Sequence, residues 1–137
     1  MDVVALDWDC YAASARVAAR RLTAVYDEAL QEAGIGLTQF SLIRRIAQLG
    51  SATLTELSHS VELDRSTTGR NVRVVERLGL VQRKIGDDHR ERLLELSPLG
   101  RQTLETALPL WQGAQARIEA ELGLEDARDL RRMLNAV

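Results

Sequence analysis

The 137-residue chain is 45% apolar and 28% charged, which is enough to bury one modest core and predicts one domain, or one module with an oligomerisation arm. No apolar run approaches the length of a bilayer span, and the opening MDVVALDWDC carries acids where a secretory signal carries bases, so a cytoplasmic protein with no membrane partner is expected. The net charge of −2 hides an uneven distribution: residues 64–92 hold eight Arg or Lys against five acids, +3, which leaves −5 elsewhere. A basic middle between acidic ends is the footprint of a local polyanion site. The single cysteine, Cys10, excludes an internal disulfide and a multi-cysteine metal site within one chain.

In chain order, Trp8, Tyr11, Ala15, Ala18, Leu22, Val25 and Ala29 recur at steps of three and four, which predicts a long helix with an apolar seam, ending near Gly34 and Gly36. Thr38 is the expected N-cap of a helix from Gln39 to Leu49, with Phe40, Ile43, Ile46 and Leu49 inward and Gly50 as its stop. Thr53 and Glu56 spell a capping box opening a two-turn helix with Leu54, Leu57 and Val61. Asp64 then caps a fourth helix, Arg65 to Leu78, stopped by Gly79. On it Thr68, Val72 and Val75 share a dry face, while Ser66, Arg70, Arg73 and Arg77 recur on the opposite one with Thr67 beside them.

Leu80 to Ile85 and Arg92 to Leu96 read as two strands joined by the polar connection 86–91, a β-hairpin with a charged tip. Ser97-Pro98 opens a last long segment carrying Leu104, Leu108, Trp111, Ile118 and Leu122, which Pro109 is expected to kink or interrupt. Gly123 breaks it ahead of a final helix with Ala127, Leu130, Leu134 and Val137.

A short helix, a tight turn, a polar-faced helix and a basic-tipped hairpin are the layout of a winged helix-turn-helix. The predicted fold class is therefore mainly α with a small β-hairpin wing, between long N- and C-terminal helices. A helix fits the major groove, where Arg70 or Arg73 can donate two hydrogen bonds to a guanine edge and Arg65, Ser66, Thr67 and Thr68 lie on the helix that enters. The first turn also offers free N–H groups and a positive dipole end to a phosphate. Arg90 at the hairpin tip is placed for the adjacent minor groove, with Arg83 and Lys84 expected on nearby phosphates. A solvated charged face is the usual exterior of a helix, and it is the coincidence of all three features that favours double-stranded DNA.

The residues then resemble a family. Leu63-Asp64-Arg65-Ser66-Thr67-Thr68, Glu76-Arg77-Leu78-Gly79-Leu80-Val81, Asp88-His89-Arg90 and Leu96-Ser97-Pro98-Leu99-Gly100 look like the MarR (multiple-antibiotic-resistance regulator) family of transcriptional regulators, with Ser97 where threonine is usual. The resemblance implies a homodimer whose terminal helices interlock, residues 1–36 and 98–137, and whose two lobes, residues 37–97, read a pseudo-palindromic operator. It also implies an Asp88–Arg90 ion pair at the wing tip, and repression released by a small aromatic or anionic effector or by an oxidant. Candidate effector-cleft residues are Trp8, Tyr11 and Arg16, although for Trp8 and Tyr11 the plainer role, apolar anchors of the dimer seam, is favoured. Cys10 is the candidate redox sensor, although a lone cysteine is more often a small buried hydrophobe.

His59 and His89 have no carboxylate or cysteine at ligand spacing, so no metal site is expected, and no cofactor. With no nucleophile–base pair and no phosphate-cradling glycine loop, the chain is not expected to be an enzyme. The remaining alternative is a winged-helix protein-interaction module, which has no need of Arg70, Arg73 and Arg90 on one side.

Overall fold

The computed structural model describes residues 10–137. The chain runs through α1 (Tyr11–Leu30), a 3-10 turn (Gln31–Ala33), α2 (Leu37–Leu49), α3 (Leu54–Ser60), α4 (Arg65–Arg77), β1 (Val81–Ile85), β2 (Arg92–Leu96), α5 (Pro98–Leu122) and α6 (Leu124–Asn135). Helices α2 to α4 and the hairpin make a winged helix-turn-helix lobe. Helices α1, α5 and α6 make a helical arm, in which α1 and α6 both pack on α5.

The lobe closes around Phe40, Ile43 and Ile46 of α2, Leu57 of α3, Val72 and Val75 of α4 and Leu94 of β2, all shielded from solvent. Their spacing gives each helix one inward stripe, which is why so short a segment as α3 holds its place: the removal of this apolar surface from water drives the packing. The hairpin pairs Val81 with Leu96 through to Ile85 with Arg92. Ala52 adds one further rung on the other edge of β2, exchanging backbone hydrogen bonds with Leu94 at 3.0 and 2.7 Å, and so ties the α2–α3 link to the root of the wing.

Local chemistry sets most of the boundaries. Thr53 Oγ1 accepts the Glu56 N–H, Asp64 Oδ1 the Thr67 N–H and Ser97 Oγ the Gly100 N–H, each satisfying a donor that a helix start leaves open. Gly79 ends α4 with φ +76°, a conformation that costs a glycine little. Gly100 is needed for a different reason. A Cβ there would lie 1.9 Å from the Leu80 carbonyl oxygen, which already accepts the Ser97 N–H at 3.0 Å.

Three expectations are corrected. Helix α2 starts at Leu37 with Gly36 as its cap residue, not with Thr38. Gln39 Oε1 accepts the Gly36 N–H and Asp27 Oδ1 of α1 accepts that of Leu37, so side chains from the helix's own first turn and from another helix do what Thr38 was expected to do. Leu49 is 44% exposed, and Leu42 takes the buried place. Helix α5 continues through Pro109; both Pro109 and Glu105 are exposed, so water can satisfy the carbonyl that proline leaves without a donor. Leu104, Leu108 and Trp111 pack against the chain's own core, which leaves the apolar surface of the arm on other residues.

Candidate nucleic-acid interface

Helix α4 carries the predicted two faces. Thr68, Val72 and Val75 are buried, while Arg65, Ser66, Arg70, Arg73 and Arg77 are exposed. Thr68 is withdrawn from the base-reading set: it is 0% exposed and its hydroxyl donates to the Asp64 carbonyl at 2.9 Å. Thr67 has the more active position. Its hydroxyl donates to Asp64 Oδ2 at 3.1 Å and accepts from Arg70 Nη2 at 3.2 Å, so the cap of the helix and the guanidinium one turn on are one connected chain. Hydrogen bonds from the Thr67 backbone and then its hydroxyl hold the Asp64 carboxyl below its usual range. Arg77 Nε donates to the Arg73 carbonyl at 3.4 Å, which leaves the rest of its guanidinium outward.

On the wing, side chains alternate between faces, as strand geometry requires. Gln82 Nε2 and Lys84 Nζ meet the Glu95 carboxylate at 3.0 and 3.1 Å, and the two together lower the Glu95 pKa, Gln82 more than Lys84. Arg83 faces the other way and grips Glu76 of α4 with two bonds, Nε to Oε2 at 3.0 Å and Nη2 to Oε1 at 2.8 Å, which raises its pKa above the ordinary arginine value. Both cations expected on phosphates thus have carboxylate partners within the chain.

The tip differs from the family expectation. The Asp88 and Arg90 side chains do not form an ion pair. Asp88 Oδ1 accepts the Arg90 backbone N–H at 3.4 Å, and the Asp88 carbonyl accepts the Glu91 N–H at 2.8 Å. An aspartate bonding the backbone two residues on folds the turn itself, and the exposed Arg90 side chain projects from that turn.

The expected effector and sensor residues are not gathered by the structure. Trp8 lies outside the described residues, Tyr11 is 94% exposed, and Arg16 is exposed one turn further along α1. Cys10 is exposed and precedes α1 as its N-cap residue. Neither Tyr11 nor Arg16 lines a cleft of about 300 Å³ formed between α2 and α5 by Phe40, Ser41, Arg44, Arg45, Gln48 and Trp111. There the Arg44 guanidinium sits 4.4 Å from the centre of the Trp111 ring, which also stacks on Phe40 at 5.7 Å. Two guanidiniums and an indole are suited to a flat anion. Sequence reading missed this site; the signal was an arginine pair set between the inward residues Ile43 and Ile46, at the edge of a buried face.

A second cleft, about 180 Å³, lies within the arm between Leu22, Tyr26, Ile118, Leu122, Leu130 and their neighbours. Here the Tyr26 hydroxyl donates to Gln115 Oε1, and burial raises its pKa. His59 and His89 are exposed on separate elements, and among the described residues no group of three or more His, Cys, Asp or Glu is placed to hold a metal ion. No described helix is long and apolar enough to cross a membrane.

Comparison with known proteins agrees with this architecture. No curated protein sequence matches the chain. Among solved structures, the Mycobacterium tuberculosis transcriptional regulator MosR, crystallised in complex with DNA, is 37% identical with a TM-score of 0.79, over 93% of this chain and 96% of its own. A Pseudomonas aeruginosa protein described as a probable transcriptional regulator is 28% identical with a TM-score of 0.86, over 93% and 96%. A mutant of Escherichia coli MarR complexed with operator DNA shares the fold, with a TM-score of 0.80 at 20% identity over 88% of each chain. The MarR family model matches residues 35–91, the stretch that holds the capped helix α4 and the wing up to its tip, and the chain belongs to the MarR family.

Proposed function

We propose that the chain regulates transcription, without an enzymatic activity, by binding a pseudo-palindromic operator in double-stranded DNA as a homodimer, most simply as a repressor. In this reading residues 37–97 are the DNA-binding lobe, and residues 1–36 and 98–137 hold two copies together. The observation that carries it is α4, a helix buried on one side and presenting Ser66, Arg70, Arg73 and Arg77 together on the other, beside a wing whose tip exposes Arg90. MosR, over one third identical, was crystallised with DNA. A second copy is called for by Leu122, Leu124, Leu130, Met133 and Leu134, all left exposed on α5 and α6, since closed two-fold dimers are the commonest answer to such a surface.

The test is duplex binding as a function of salt, using the DNA upstream of the chain's own coding sequence. Affinity should fall steeply as salt rises. Arg70→Ala and Arg73→Ala should each cost roughly 1–3 kcal/mol at a specific site and relax preference at one base position. Arg90→Ala should weaken binding with little change in major-groove preference. Wild-type affinity in all three variants would overturn the docking.

The α2–α5 cleft favours a small aromatic carboxylate as the releasing signal, with Arg44 and Arg45 on the carboxylate and Trp111 as a wall. Titration with benzoate should loosen the wild-type complex and leave Arg45→Ala unaffected; equal release from both would remove the cleft from consideration.

A further inference from the structure

We propose that Glu76 and Arg83 are a clamp that fixes the angle of the wing against α4, so that Arg83 is a positioning residue for DNA binding and not itself a phosphate ligand. The proposal rests on the operator-binding reading above.

The pair joins the last turn of α4 to the middle of β1 through two parallel charge-assisted bonds of 3.0 and 2.8 Å, the arrangement in which a guanidinium fixes orientation as well as distance. Its place in the hairpin explains what it can control. Arg83 lies opposite Leu94, which the Ala52 rung anchors. The root of the wing is held there and at Ser97, whose N–H meets the Leu80 carbonyl. Arg83 is the residue of β1 furthest from that root with a side-chain bond to α4 among the described residues, and the tip with Arg90 lies beyond it. A hairpin pinned only at its root can swing; a bidentate bond part-way along removes that freedom.

Glu76 points the same way. A carboxylate in the last turn of a helix sits at the negative end of the dipole, where it is unfavourable. Glu76 is nonetheless half-buried there, with its charge taken up by Arg83. The two bonds take up the Nε edge of the guanidinium and set its charge against Glu76. Nη1 stays free among the described residues, but for Arg83 to give a phosphate its full charge the Glu76 carboxylate would have to stand unpaired beside a polyanion.

Two roles for Arg83 give opposite signs. Glu76→Gln removes a negative charge, so if Arg83 were a phosphate ligand the variant would bind operator more tightly, and Arg83→Gln would lower the slope of log affinity against log salt by about 1. For a clamp, Glu76→Gln weakens operator binding roughly three- to tenfold in spite of the favourable charge change, the coupling expected of one directly bonded pair. Arg83→Gln weakens it comparably with the salt slope unchanged. The exchange Glu76→Arg with Arg83→Glu recovers most of the affinity.

Circular dichroism and thermal melts check that each variant is folded, and a half-exposed pair should shift them little. Tighter binding by Glu76→Gln, a reduced slope in Arg83→Gln, or an exchange variant no better than Arg83→Gln each overturns the clamp. In the free protein, 15N relaxation should show larger-amplitude motion of residues 84–91 in Glu76→Gln than in wild type. This measurement stands without DNA: if wild type binds no duplex the operator reading fails, and unchanged wing motion alone then overturns the clamp.

Discussion

The lobe and the arm solve the same problem in different ways. The lobe is built from short elements, none able to bury its apolar face alone, yet Phe40, Ile43, Ile46, Leu57, Val72, Val75 and Leu94 close on one another within a single chain. The arm has the longest helices, 20 and 25 residues, and leaves Leu122, Leu130, Met133 and Leu134 exposed. Helix length is therefore no guide to where the chain's own stability resides. What separates the regions is whether the apolar stripes find partners inside the same copy, and the arm's surface is that of a structure completed by another.

That contrast can be broken or sharpened by substitution. The largest effect is expected at the joint of the two regions, where Gly100→Ala drives a Cβ to within 1.9 Å of a backbone oxygen; it should cost more than about 3 kcal/mol in denaturant unfolding, since overpacking against main chain has no soft neighbour to yield. Leu57→Ala, a fully buried side chain in the lobe, should cost about 3 kcal/mol. Leu134→Ala should cost less than about 1 kcal/mol in one copy, because the side chain is 52% exposed there. The same variant should shift sedimentation toward monomer, and an unchanged mass together with a large loss of stability would place Leu134 in a closed core and cancel the contrast. The smallest change is a gain: Glu62 holds φ +56° between α3 and α4, so Glu62→Gly should raise stability by about 0.5–1 kcal/mol.

Acid should also separate the regions. The Asp64 and Glu95 carboxyls are both depressed by hydrogen bonds, so what they add to stability is present above the usual carboxylate range and fades as pH falls through their lowered values. Both lie in the lobe, and amide exchange in α4 and the wing should rise on acidification before that in α5.

Much of the lobe was legible because its determinants are local. The caps Thr53, Asp64 and Ser97, the stop at Gly79 and the two faces of α4 all rest on residues a few positions apart. The places where sequence reading fell short are governed by partners distant along the chain. Asp27 caps α2 from ten residues away, Ala52 joins the sheet from forty-two residues before Leu94, and Arg44 finds Trp111 on another helix. Pro109 misled because its effect depends on what the freed carbonyl faces, a property of packing. Sequence alone leaves Arg83 and Lys84 of the wing free for phosphates, whereas Glu76 and Glu95 hold them within the chain.

The contact between Gly100 and Leu80 has a mechanical side. The first turn of α5 rests on the carbonyl that follows α4, with no side chain between them and the Ser97 hydroxyl bonded to the Gly79 carbonyl alongside. A joint of this kind has no slack. A tilt of α5 is therefore expected to carry the end of α4 with it, and in the proposed pair of copies the spacing of the two α4 helices should follow how their arms are set.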